Sequence, residues 1–248
     1  MSVPRVVVVI QARLASSRLP AKILLDLGGT TALERCLRRA RKFKGVSEVV
    51  IATSDTPGDD LIEAVGKRLD ARVIRGSETD VLSRFAKAAA ETNAEAIVRC
   101  TSDCPLLDPA ISSSVIERFL FAAPAADYAA NVLERRYPRG LDTEIVSRSA
   151  LERAHREATA SAEREHVTLH IYRRPEAFRC LPVMPSAGDD HSNLRWTLDT
   201  LDDYRFLHTV FERLGPLADT ASMNDVLALL AKEPSLSAIN SHIAQKPV

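Results

Sequence analysis

An α/β fold with a doubly wound sheet is what this sequence predicts, and three observations predict it. The run Val6-Val7-Val8-Val9-Ile10 is continuous and β-branched, the pattern of a strand buried on both faces of a parallel sheet. Short apolar runs alternate with amphipathic stretches at helical spacing through the first half of the chain. The 248 residues are 46% hydrophobic, enough for one large core, and no linker or internal repeat divides them. The expectation is therefore a single domain over 1–248, with an insertion at about 131–190.

The elements follow in order. After the Val6–Ile10 strand, Thr31-Ala32-Leu33-Glu34 has the form of a capping box opening a helix to about Phe43. Val49–Ala52 is a second buried strand, running out into Thr53-Ser54-Asp55. A helix is expected from Asp59 to Leu69, a short strand at Arg72–Ile74, and a helix from Thr79 to Glu91 with Leu82, Phe85 and Ala89 inward. Ala96–Cys100 is the next strand. Asp108-Pro109 caps and starts a helix carrying Ile111, Val115 and Phe119. Beyond Tyr128 the rhythm loosens. Strands are expected at Leu141–Val146, Phe178–Val183 and Leu194–Leu198. Helices are expected at Ser149–Ala158, Arg164–Tyr172, Tyr204–Leu214 and Asn224–Ala231.

Composition narrows the function. Lys plus Arg and Asp plus Glu are 33 each, so the chain lacks the basic excess of a nucleic-acid or membrane-surface binder. No stretch is long and apolar enough to span a bilayer, and the first apolar run leads into Gln and Arg rather than a cleavage site. Cys36, Cys100, Cys104 and Cys180 lack zinc-site spacing, so reduced thiols in a cytoplasmic protein are expected.

The zero net charge hides an asymmetry. Before Asp26 stand Arg5, Arg13, Arg18 and Lys22, and no acid. In open α/β sheets ligands sit at the carboxyl ends of strands. The loop 11–22, just after the first strand, holds Arg13, Ser16, Ser17, Arg18 and Lys22. It is either a solvated basic loop or a cradle for a polyphosphate, and it lacks the glycines of a Walker or dinucleotide fingerprint. Asp103 stands at the end of the Ala96–Cys100 strand and Asp199 at the end of Leu194–Leu198. Each is a turn or capping residue, or one of two carboxylates suited to Mg²⁺. His166 and His170 are one helical turn apart, but without the HExxH order a polar or interface role is expected. His191, His208 and His242 are expected at the surface or satisfied locally.

Several blocks taken together resemble the sugar-activating cytidylyltransferases, in particular the SpsF-like branch. They are Gln11-Ala12-Arg13 through Lys22, Arg75-Gly76-Ser77-Glu78-Thr79-Asp80-Val81-Leu82-x-Arg84, and Thr101-Ser102-Asp103-Cys104-Pro105-Leu106-Leu107-Asp108-Pro109. Further blocks are Pro138-Arg139-Gly140-Leu141-Asp142-x-Glu144, Arg164-Glu165-His166-Val167-Thr168 and Arg195-Trp196-Thr197-Leu198-Asp199-Thr200. The likeness spans roughly residues 5–214. It implies a three-layer α/β/α nucleotide-binding sandwich, Rossmann-like, dimeric through the insertion. It implies CTP and a sugar as substrates, Mg²⁺ as cofactor, and a CMP-sugar and pyrophosphate as products. By that resemblance Gln11, Ala12, Arg13, Ser17, Arg18, Lys22, Arg75 and Thr101 contact the nucleotide, with Arg13 and Lys22 catalytic. Asp103 and Asp199 hold the metal, and Arg139, Glu144 and His166 meet the sugar. Ala15 and Ala21 depart from the branch, which commonly has glycine there, as does Leu201, where proline is frequent. Two rival expectations are a glycosyltransferase on a related fold, against which the lack of a D-x-D triplet counts, and a non-catalytic nucleotide-binding protein.

Overall fold

The computed structural model describes residues 4–185 and 189–245. One seven-stranded sheet organises the chain: β1 Val6–Gln11, β2 Glu48–Ser54, β3 Arg72–Gly76, β4 Ala96–Thr101, β5 Tyr128–Ala130, β6 Glu144–Ser147 and β7 Cys180–Pro182, in the spatial order β3-β2-β1-β4-β6-β5-β7. Strands β1 to β4 are mutually parallel; β6 runs antiparallel to both β4 and β5, and β7 is parallel to β5. Successive side chains of β1 point to opposite faces. Val6, Val8 and Ile10 join one core with Leu33, Leu37, Val115 and Ile116. Val7 and Val9 join the other with Leu82, Phe85 and Leu151. The central strand β1 therefore reads as an unbroken apolar run because helices cover both faces. These helices are α1 Ala32–Ala40, α2 Asp60–Arg68, α3 Val81–Glu91, α4 Pro109–Leu120 and α5 Arg148–Glu157.

The chain leaves β1 toward β2 and β3 on one side and returns with β4 on the other. The strand order thus reverses between β1 and β4, which opens a crevice at their carboxyl ends. Gln11 and Thr101 face each other in register at that edge. A third core lies beyond the sheet. Trp196, Leu27 and Leu106 pack there against α8 Leu201–Leu214, α9 Met223–Lys232 and α10 Ser235–Ala238.

Several expectations are corrected. Leu194–Leu198 is not a strand; its one ladder contact is a bridge between Arg195 and Arg139, because Trp196 turns into the third core. Thr31 caps α1, but Glu34 does not close the box: its carboxylate is drawn to Arg38 and Arg68. Arg164–Tyr172 is two short helices, α6 Ser161–Glu165 and α7 Leu169–Tyr172, broken where Val167 takes φ +46°. The strand expected at Leu141–Val146 begins only at Glu144, since Asn131 bonds the Leu141 carbonyl and the Thr143 amide from outside any ladder. β5 had no counterpart in the sequence reading. The segment 131–190 contributes β6 and β7 to the same sheet.

Candidate active site

The loop after β1 is built from its base. Asp59, buried below it, accepts the Leu14 amide at 2.8 Å and the Thr53 hydroxyl at 3.0 Å. Burial alone pushes this carboxyl up, but the Leu14 amide and the Ser54 and Thr53 groups outweigh it and hold the acid below its ordinary range. Ala21 closes the loop, its amide bonding the Leu14 carbonyl at 3.1 Å from a left-handed φ of +52°. The loop so pinned carries Arg13, Ser16, Ser17, Arg18 and Lys22 along one cavity of about 490 Å³.

Lys22 is the hinge of the site. Its Nζ donates to Asp103 Oδ2 at 2.8 Å and to Asp199 Oδ1 at 2.7 Å. Two carboxylates almost a hundred residues apart thus share one ammonium. Backbone geometry brings them together: the Asp103 carbonyl accepts the Leu198 amide at 2.8 Å and the Thr197 hydroxyl at 3.2 Å. Asp199 Oδ2 is also reached by Arg18 at 3.1 Å and by Arg195 at 3.0 Å. Burial lowers the Lys22 ammonium, but the two carboxylates overcome that and raise it above its usual value. Burial likewise pushes Asp103 up, and Lys22 more than offsets it, so Asp103 is held low. Both groups are charged at neutral pH.

A second cavity of about 450 Å³ adjoins the first and is lined by Arg135, Arg139, Asp142, Glu144, Thr168 and Tyr172 among others. Arg135 grips Asp142 through two bonds of 2.8 and 2.9 Å. The Arg139 guanidinium has no side-chain partner among the described residues. Burial and the neighbouring Arg135 lower its pKa, and Asp142 opposes them. Glu144 lines the wall, but its oxygens are engaged internally by Arg99, Tyr128 and Thr168. His166 lies at the break between α6 and α7; burial pulls its pKa down despite the adjacent Glu165.

The structure therefore gathers Gln11, Arg13, Ser17, Arg18, Lys22, Thr101, Asp103, Asp199, Arg139, Glu144 and His166 around two joined cavities. It does not gather Arg75 or Ala12. The Arg75 guanidinium is taken by the Ser54 and Thr56 carbonyls and by Asp60 and Glu63, beside the start of α2. The Ala12 side chain is buried and its amide pairs with the Ala52 carbonyl. His170 does not face the site with His166: it is buried against Glu163 at 3.1 Å and Phe178. Among the described residues no cluster of three or more His, Cys, Asp or Glu groups has metal-binding spacing. Sequence reasoning missed Arg99, Arg135, Asp142 and Gln245. Arg99 left a signal as a lone charge inside the otherwise apolar Ala96–Cys100 run, and Asp142 stood in one of the resemblance blocks without a role assigned to it.

A basic loop at a topological switch point, facing two carboxylates across a lysine, is the arrangement of an α/β nucleotidyltransferase. The chain matches the family model described as cytidylyltransferase over residues 7–233 and belongs to that family. It is 32% identical over 231 residues to the spore coat polysaccharide biosynthesis protein SpsF of Bacillus subtilis, covering 91% of this chain and 94% of that one. A solved cytidylyltransferase from Leptospira borgpetersenii superposes with a TM-score of 0.90 at 32% identity, covering 98% and all of that chain. A CMP:2-keto-3-deoxy-manno-octonic acid synthetase complexed with CTP shares the fold, with a TM-score of 0.61 at 20% identity over 84% of this chain and 99% of that one. The protein is thus a nucleotidyltransferase enzyme, and the two rival classes fall away.

Proposed function

We propose that the enzyme transfers the cytidylyl group of CTP to a hydroxyl of a carboxylate-bearing 2-keto-3-deoxy or nonulosonic sugar, with Mg²⁺, giving a CMP-sugar and pyrophosphate for surface polysaccharide or glycoconjugate synthesis. The observation that carries this reading is the Lys22 bridge between Asp103 and Asp199, two aspartates that line both the basic cavity and the arginine-lined one beside it. Family membership supports CTP. The unpaired Arg139 in the second cavity supports an anionic sugar, since a guanidinium binds a carboxylate through two parallel bonds. Four free cysteines support a reducing compartment such as the cytoplasm.

In the reaction the sugar hydroxyl attacks the α-phosphorus and gives up its proton to solvent, the bond from that phosphorus to the oxygen bridging to the β-phosphorus breaks, and pyrophosphate leaves with the electron pair. Such displacement depends on alignment and on screening of negative charge. Arg13, Arg18 and the loop serines would hold the triphosphate, and Lys22 would swing its ammonium onto the phosphate oxygens. Thr101 and Gln11 line the same crevice. Arg139 and His166 would orient the sugar. Two hard carboxylates on one ammonium are a donor set that fits Mg²⁺, whose other ligands are usually waters and substrate phosphates. Bound to Asp103 and Asp199, the ion would screen the α-phosphoryl charge and make the hydroxyl more acidic. A homodimer belongs to the same proposal, and light scattering would test it.

The test is pyrophosphate release from CTP, ATP, GTP and UTP in turn, against 3-deoxy-manno-octulosonate, N-acetylneuraminate and neutral sugars, with Mg²⁺ or EDTA. Release is expected only with CTP, an acidic sugar and Mg²⁺ together. Turnover of a neutral sugar would overturn the acidic acceptor, and turnover in EDTA would overturn the metal.

A further inference from the structure

Six residues line both cavities: Arg99, Thr101, Asp103, His166, Asp199 and Gln245. They mark the junction where an attacking hydroxyl must meet the α-phosphorus. Five lie within the matched family range, which stops at residue 233; Gln245 does not. Resting on the CTP reading above, we propose that Gln245 is a substrate-contacting residue, its side-chain amide donating to an oxygen of the nucleotide's transferring phosphoryl group.

The segment leading to Gln245 is anchored upstream, and Gln245 itself is exposed and held through one side-chain bond. Leu236 of α10 is buried in the third core. Asn240 is buried and donates to the Arg195 carbonyl at 2.9 Å and to Asp203 Oδ1 at 3.0 Å. Arg195 itself is clamped on Asp203 by bonds of 2.8 and 2.9 Å and reaches Asp199 at 3.0 Å. Gln245 Oε1 accepts the remaining Arg195 Nη1 at 2.8 Å.

That last bond fixes the amide's direction chemically. A guanidinium has only donors, so the Gln245 oxygen must face it. The amide nitrogen is then a donor with no partner among the described residues, on a side chain that lines both cavities. Its neighbours at the junction include two aspartates, which a phosphoryl group approaches only with compensating donors. A neutral amide supplies one without adding charge. The same residue also ties the segment, through Arg195, to Asp199.

Two variants and two ligands test this by calorimetry in Mg²⁺. Gln245→Ala removes the donor and should weaken CTP binding about tenfold. Gln245→Glu keeps an oxygen toward Arg195 but turns the donor into an anion, and should weaken CTP further. Cytidine, which lacks phosphates, should bind wild type and both variants alike. Wild-type affinity for CTP in either variant overturns the proposal. Equal loss for CTP and cytidine also overturns it, because the effect is then structural. Wild-type protein that fails to bind CTP would instead remove the CTP reading itself, which keeps the two failures apart.

Discussion

The two halves of the active site are made by different means. Around the first cavity, the proposed phosphate side, most groups sit on or just past the ends of parallel strands: β1 leads into Gln11 to Lys22 and β4 into Thr101 to Asp103, while Asp199 follows no strand. Around the second cavity, the proposed acceptor side, Arg99 and Glu144 sit on β4 and β6, while Arg135, Arg139 and Asp142 sit on segments with little regular structure. There they are held by ion pairs such as Arg135–Asp142 and Arg99–Glu144 and by unusual backbone at Gly140 and Val167. The first half is specified by hydrophobic pattern and is shared with a whole fold. The second is specified by individual polar contacts, so substrate choice can change there without disturbing the sheet.

The comparison breaks most sharply at Lys22, which lines the first cavity and binds Asp103 and Asp199, two of the residues that line both. Lys22→Ala should lower turnover with CTP by about a hundred- to a thousandfold, the loss typical of removing one donor aimed at developing charge. The circular dichroism spectrum should stay that of the parent, because Lys22 belongs to no sheet or core cluster. Near-normal pyrophosphate release would end its assigned role.

On the acceptor side the expected damage is to stability. Glu144 pairs with Arg99 across β4 and β6 and also accepts from Tyr128 and Thr168. Glu144→Gln leaves Arg99 charged and short of its partner, at a cost of about 3 kcal/mol at pH 7. Burial raises the Glu144 carboxyl, but Arg99 and the two hydroxyls overcome it, so its folded pKa lies below the ordinary 4.5. The carboxylate's contribution is therefore complete above that value and is lost as pH falls through the lower, folded one. Urea unfolding should show wild type and variant converging as pH drops below 4.5, and a gap that held constant would contradict the assignment.

Two positions of positive φ sharpen the contrast further. Gly140 has φ +105°, and an added Cβ would stand 2.6 Å from the Trp196 carbonyl carbon and oxygen. Gly140→Ala should cost about 2 kcal/mol or more in backbone strain and part the Arg139–Arg195 bridge, lowering Tm by roughly 5 °C. Ala21 is the reverse case. It holds φ +52° where a glycine would sit without strain. Ala21→Gly should stabilise by about 0.5–1 kcal/mol, the relief of a left-handed alanine less the freedom glycine gains when unfolded. A fall in Tm for this variant would mean that the loop geometry is set by something other than the backbone at 21.

How much of this was legible follows the same division. Val6–Ile10, Ala96–Cys100 and the basic loop between Gln11 and Lys22 were readable because a buried parallel strand and a charge cluster each leave a local signature. The meeting of Asp103 with Asp199 was not readable from spacing. It rests on the Leu198 amide finding the Asp103 carbonyl, a contact with no pattern in one dimension. The Leu194–Leu198 run looked like a strand because its apolar residues fit one, but Trp196 serves a helical core instead. Gln245 left no signal, since a single amide near polar neighbours is what any surface segment contains.

Arg75 is where sequence resemblance and geometry part most plainly, and it carries the smallest expected effect. The resemblance makes it a nucleotide contact. The structure sets it at the end of β3, spending its guanidinium on the Ser54 and Thr56 carbonyls and on Asp60 and Glu63, and it lines neither cavity. Asp60 and Glu63 are well exposed, and such pairs contribute little. Arg75→Ala should therefore leave the KM for CTP and kcat within about twofold of wild type, because Arg75 lines neither cavity and water can replace its two part-buried carbonyl bonds. A tenfold rise in the KM for CTP would return Arg75 to the nucleotide. It would then require the β3 end and the start of α2 to move toward the crevice when the triphosphate binds.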